Sequence, residues 1–343
     1  MAVAVIVLGG ASCGADHPQS TGNLVPIGAG LQGPQGLTAT VYARGLAQVS
    51  AFAIDDQARL WVATAASTDR GRDAMYLVRG SGDAPTLVLS RVHTPLGLLW
   101  HGTALYVASA GRVDAYDTFD GTKFMHHRTV LTLPAGTGEV NGIALAPDGR
   151  MLMGISAPCD HCRPGSKLSG AVVSFQPDGT DLQVYASGIR APVGLVIDPR
   201  TKHLLVTMNQ RDDLGPRTPG DWLATVHHGQ AFGFPSCYGQ GGKACAGVPK
   251  PIAVLDQHAA VSGVAVVTGQ LGADVGTSAL VAEWSTGKVQ QVALADHVPS
   301  APAAVTPFLT GLRNPVPVAL DGKGGVLIGD WTRGVVYRIA RKR

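Results

Sequence analysis

One strand-turn-strand unit returns six times along this chain, and that repetition limits the fold more than any other feature. The six copies are "VSAFAIDDQARLWVATA" from Val49, "PLGLLWHGTALYVASAGRVDAYD" from Pro95, "VNGIALAPDGRMLMGIS" from Val140, "PVGLVIDPRTKHLLVTM" from Pro192, "VSGVAVVTGQLGADVGTSALVAEWSTGKVQQVAL" from Val261 and "PVPVALDGKGGVLIGDWTRGVVYRI" from Pro315. Each holds an apolar strand, a turn of the type Asp148-Gly149, Asp198-Pro199 or Asp321-Gly322, and a second apolar strand. The units recur about every 45 to 70 residues, and several run on into a third strand such as "GAVVSFQ". A β-sandwich with a second domain would not repeat one unit six times. The pattern predicts an all-β chain, a six-bladed β-propeller over residues 37–343, with no linker long enough to divide it. Composition agrees, since 45 glycines, 22 prolines and only 15% charged residues suit short strands and tight turns.

The ends read differently. Residues 1–13 are apolar and small up to Cys13, too short a run to span a bilayer, which needs about 20 apolar residues. They read as an export signal in which Gly10-Ala11-Ser12-Cys13 resembles a lipoprotein cleavage box, with residues 14–36 as a flexible tether. The chain is then exported, either periplasmic or extracellular or held at the cell surface, and it meets a membrane only through a lipid on Cys13. Four other cysteines remain, and their even number suits an oxidising compartment. Cys159 with Cys162 and Cys237 with Cys245 is the expected disulfide pairing, because each pair shares a loop. A zinc site built from all four is the competing reading. A net charge of +3, with no basic run beyond Arg341-Lys342-Arg343, excludes a nucleic-acid footprint.

In a propeller the lead-in to each inner strand faces one mouth of the central channel. Polar residues stand there: Glu139 and Asn141 before the third unit, Arg190 before the fourth, Arg313 and Asn314 before the sixth. The long loop "NQRDDLGPRTPGDWLATVHHGQAFGFPSCYG" leaves the fourth unit toward the same mouth. A loop of that length is either disordered or a working part, and its aromatic-proline close at Phe232, Phe234 and Pro235 argues for the second. His126-His127 and His227-His228 sit in strand-like stretches whose alternate residues face opposite ways, so neither pair converges on one metal.

The residues also carry a family resemblance. Gly188-Ile189-Arg190-Ala191-Pro192, Asn209-Gln210-Arg211-Asp212, Pro219-Gly220-Asp221-Trp222-Leu223 and Phe232-Gly233-Phe234-Pro235-Ser236-Cys237 resemble the soluble quinoprotein sugar dehydrogenases, in particular the sorbosone dehydrogenase-like branch. "PDGRMLMGISAPCDHC" upstream is similar to that branch too, and the resemblance covers most of residues 37–341. It implies a channel mouth that binds pyrroloquinoline quinone (PQQ) on calcium and oxidises a sugar at C1, passing electrons to an acceptor. It implies further that Arg190, Asn209, Arg211, Lys288 and Arg313 face the cofactor. Gly215, Pro216 and Asp221 would hold the calcium, while Asp212 and Asp213 read equally as a solvated turn.

Four positions depart from the family pattern, one of them Ala157, where the acid that orients the base in the glucose dehydrogenase branch falls, with Asp160 close by. The base histidine of the family falls at Gly138, which cannot accept a proton, and Glu139 beside it is the candidate replacement. The asparagine after the arginine has become Ala191, and a glutamate has become Trp222. Two rival readings follow: a non-catalytic binding or scaffold propeller, and a lactonase-like hydrolase with Asn141 as a metal ligand.

Overall fold

The computed structural model describes residues 23–238, 243–294 and 303–342. The signal segment 1–13, with Cys13, lies outside them. Six four-stranded antiparallel sheets are arranged around a central channel. Their inner strands are Val49–Ile54, Gly97–His101, Val140–Leu145, Pro192–Ile197, Val261–Thr268 and Pro315–Leu320, the openings of the six repeats. Each inner strand packs on the next around the ring. Blades 1 to 5 are continuous in sequence, whereas blade 6 takes its outer strand, Leu37–Arg44, from the start of the propeller and pairs it with Val335–Arg341. This joins the two ends of the propeller and removes the sheet edges that either would expose.

The centre of the ring is narrow because four inner strands carry glycine where the neighbouring strand comes closest. A Cβ on Gly97 would lie 2.5 Å from the carbonyl oxygen of Asn141, on Gly142 2.6 Å from that of Val193, on Gly194 2.2 Å from that of Ser262, and on Gly263 2.5 Å from that of Val316. In blades 3, 4 and 5 the pairing of inner and second strand shifts register across this glycine. The extra residue bends the inner strand as it passes the hub.

Between the blades the alternate strand residues bury apolar side chains. Trp61 is fully buried against Trp100, Phe119 and Phe124, and its indole N–H donates to Asp55 at the foot of blade 1. The Asp55 carboxylate also accepts from the amides of Gln57 and Arg59, so one acid makes the turn and anchors the core. Asp198 and Asp321 hold the corresponding turns of blades 4 and 6.

One boundary differs from expectation. The tether assigned to 14–36 ends sooner, because Val25–Gly28 and Leu31–Gly33 pair as a hairpin, and Gln32 exchanges two backbone hydrogen bonds with Thr310 beside blade 5. Ile27 and Leu31 are buried against Phe308 and Leu309. These strands are too short for alternation to show through a Gly/Pro-rich composition, and only the blade they cover makes them form. The Cys159–Cys162 and Cys237–Cys245 disulfides are both formed, as expected for an oxidising compartment outside the cytoplasm. No helix among the described residues is long and apolar enough to cross a membrane.

Gly194→Ala should destabilise the protein by about 1–3 kcal/mol or more, since its methyl meets backbone that has no room to move. Gly165→Ala, in open space, should be close to neutral. Chemical denaturation of the two variants measures the difference.

Candidate functional site

The loops that join second to third strands, and those that lead into inner strands, share one face, so residues far apart in sequence meet at that mouth. A cavity of about 570 Å3 opens there between blades 3 and 4, walled by Gly138, Glu139, Ser156, Cys159, Arg190, Ala191 and Asn209. Three of the residues expected at the site, Glu139, Arg190 and Asn209, therefore come together. A smaller aromatic recess of about 50 Å3 adjoins it, shares Arg190 as a wall, and is lined by Trp222, Phe232, Phe234 and Tyr238.

Local backbone explains why Glu139 is the acid in this cavity. Gly138 has φ of +110°, and a Cβ there would lie 2.0 Å from the carbonyl oxygen of Ser156. No side chain fits at that position, so Glu139 is the first residue of the lead-in able to present one. Its carboxylate reaches solvent through the cavity, yet the walls enclose it enough that burial raises its pKa above the usual carboxylate range. Every other carboxylate of this face among the described residues has a protein partner; that of Glu139 has none.

Arg190 is held by Asp160. Its Nε donates to the Asp160 carbonyl at 3.0 Å and its Nη2 to the carboxylate at 2.6 Å, while Nη1 reaches the carbonyl of Asn209 at 3.2 Å. The same carboxylate accepts from the amides of Asp212 and Asp213, so it ties the Cys159–Cys162 loop, Arg190 and the long loop into one unit. The sequence sets Asp160 close to Ala157, where the resemblance puts the acid that orients the base, and the structure places its carboxylate on Arg190. Beside this unit the Oδ1 of Asn209 is buried without a hydrogen-bond partner.

The remaining expected residues are placed elsewhere. Arg211 is buried, makes a fork with Asp213 (2.6 Å for each bond) and stacks over Tyr238 at 4.6 Å. Lys288 pairs with Asp256 and lies 3.7 Å from Glu283. Arg313 is exposed on the rim of blade 6, its guanidinium unpartnered among the described residues.

Gly215 and Pro216 form a short 3-10 turn, and the Gly215 carbonyl accepts from Nε2 of His258 at 3.1 Å and from the amide of Thr218 at 3.0 Å. Asp221 is 2% exposed, with one carboxylate oxygen on the amide of Gln210 and the other on that of Val261. Burial outweighs those two bonds and pushes its pKa up to about 6. The Asp221 carboxylate and the Gly215 carbonyl are thus taken up in hydrogen bonds, and among the described residues no three His, Cys, Asp or Glu side chains converge on a metal position. Asn141, the ligand of the lactonase-like reading, spends its amide N–H on Ser156 Oγ at 2.8 Å and on the Glu139 carbonyl. His126 and His127 pair separately with Asp117 and Asp114, and His227 packs against His203 while His228 packs on Tyr185.

A six-bladed propeller with a cavity at one mouth, an arginine in its wall and one unpaired acid facing it has the form of a small-molecule-binding propeller. The chain belongs to the glucose/sorbosone dehydrogenase family, whose pattern its residues 140–328 match, more than half of its length. Solved structures share the fold. The holo form of the PQQ domain of pyranose dehydrogenase from Coprinopsis cinerea is 16% identical with a TM-score of 0.75, the match covering 91% of this chain and 97% of that one. The PQQ-bound aldose sugar dehydrogenase of Streptomyces coelicolor is 19% identical with a TM-score of 0.68, covering 90% of this chain and 100% of that one. The apo form of the soluble aldose sugar dehydrogenase of Escherichia coli is 16% identical with a TM-score of 0.68, covering 89% and 100%. No curated protein sequence matches the chain.

Asp160→Ala should free three elements at once. Hydrogen bonds to a charged group contribute about 1.5–3 kcal/mol, so amide exchange at Asp212 and Asp213 should accelerate roughly 10- to 100-fold. Blade-core amides such as that of Val206 should keep their protection, and hydrogen-exchange mass spectrometry resolves the two.

Proposed function

We propose that the chain is a sugar dehydrogenase of the quinoprotein type, which takes PQQ into the mouth cavity and oxidises a sugar hydroxyl there. The observation that carries this reading is the pairing, in one cavity, of an unpartnered carboxylate with a positioned guanidinium. Arg190 would face the carboxylates of the quinone, for which a planar fork is suited, and the orphaned Asn209 Oδ1 would accept from a donor on cofactor or sugar. When bound, the quinone supplies the two-electron acceptor that no side chain provides.

The protein's own part is the proton. Oxidation at C1 requires the hydroxyl proton to leave as the hydride departs, and in this reading the Glu139 carboxylate would take it. Burial leaves it more basic than an ordinary glutamate, which favours that transfer. The two disulfides suit an exported protein, and we extend the proposal to a lipid anchor at Cys13. A second reading, a propeller that binds without catalysing, draws on Gly138, whose backbone cannot carry the base of the family.

Three measurements test the proposal. Purified protein should take up PQQ stoichiometrically, followed by absorbance, and Arg190→Ala should weaken uptake about tenfold or more. Glu139→Gln should keep uptake and lose roughly 100-fold or more in turnover. The carboxylate must be ionised to act, so turnover should be low below the raised pKa of Glu139 and increase as pH rises through it. Uptake without turnover in the parent protein would leave the non-catalytic reading; no uptake would reject the quinone site.

A further inference from the structure

We infer that the loop 209–221 is a closed structural strap that takes no divalent ion, and that the fixed cation of this mouth is the Arg190 guanidinium. The inference concerns the same mouth as the proposed quinone site, but its first test needs no quinone.

The argument starts from blade 1, where no ligand is in question. Asp73 stands immediately before the third strand of that blade, 2% exposed. One carboxylate oxygen accepts from the amide of Ala66 at 2.9 Å and the other from that of Thr94 at 3.0 Å. Asp221 stands immediately before the third strand of blade 4, and its oxygens accept from Gln210 at 2.8 Å and Val261 at 3.2 Å. Ala66 and Gln210 are each the second residue past the end of the second strand, at Thr64 and Met208. Thr94 and Val261 both lie where the chain turns into the next inner strand. The two aspartates therefore do the same work in two blades. Each closes the mouth loop and fastens it to the following blade, satisfying amides that no strand reaches.

The anionic oxygens of the strap are engaged in the same way, and the two buried oxygens left without a partner, Asn209 Oδ1 and Thr218 Oγ1, are neutral. Asp212 pairs with His258 at 2.7 Å, Asp213 with Arg211, and the Gly215 carbonyl with His258 and Thr218. A calcium ion takes six to eight oxygens, with anionic ones foremost, and would have to break these bonds to collect them. Arg190 needs no such rearrangement. Asp160 holds it from behind, and it lines the cavity.

Calcium titrated into metal-free full-length protein decides the point. Up to about 1 mM, which spans even weak extracellular calcium sites, calorimetry should show no saturable heat and calcium should leave the melting temperature unchanged. Asp221→Asn and Asp73→Asn should each lower the melting temperature, by similar amounts and independently of calcium. Saturable calcium binding in the parent protein overturns the inference, most directly if Asp221→Asn abolishes it and Asp73→Asn does not. Should Asp221→Asn fail to fold, the parent titration alone still decides. In a second arm, PQQ uptake should be equal in chelator and in calcium, and a tightening of about tenfold or more by calcium also overturns it. Absence of uptake in both conditions counts against the quinone site and leaves the calcium titration to judge the strap.

Discussion

The contact on which the molecule depends is backbone against backbone at the hub. Six inner strands can surround a narrow channel only if each lets the next pass within van der Waals distance, and at Gly97, Gly142, Gly194 and Gly263 the space of a Cβ is taken by a neighbouring carbonyl or strand. Blade 1 has Ala51 at the matching place and blade 6 has Pro317, so the ring tolerates two larger residues among four absent side chains. In every blade but the second the inner strand shifts register where it meets the next, and its lead-in is lifted toward the mouth. That lift sets the positions of Glu139 and Arg190.

Lifting the lead-ins out of the sheets has a cost, since their amides lose the strand partners that would otherwise satisfy them. Buried carboxylates take over. Asp73 and Asp221 each bridge two loops, and Asp330 accepts from the amides of Arg313, Asn314 and Arg333. A propeller mouth is therefore rich in acids whatever it binds, and an acid in a mouth loop says little about function until its hydrogen bonds are known. Glu139 stands out by this measure because nothing among the described residues claims it.

Family membership and site chemistry separate at the same place. Residues 140–328 match the family, while Gly138, just outside that match and where the resemblance puts the family's base, is held at positive φ against Ser156. A histidine could not be restored there without moving the backbone. The next residue, Glu139, lines the cavity, so the ionisable side chain that this lead-in presents there is a carboxylate. Fold alone would not have shown this.

Much was legible in the residues themselves. Six repeats, both disulfides and the convergence of Glu139, Arg190 and Asn209 on one mouth follow from local pattern and from the rule that inner-strand lead-ins face the channel. What sequence could not decide depends on partners distant along the chain. Asp221 reads as a calcium ligand until Val261, 40 residues on, is seen to occupy one of its oxygens. Arg211 and Lys288 read as cofactor cations until Asp213, Tyr238 and Asp256 are found against them. The hairpin at 25–33 reads as tether until blade 5 supplies the surface that buries Ile27 and Leu31. Repeats and turns are written in short-range spacing, so the sequence by itself determined the propeller. A polar side chain is defined by what it faces, and only the closing of the ring brought those faces together.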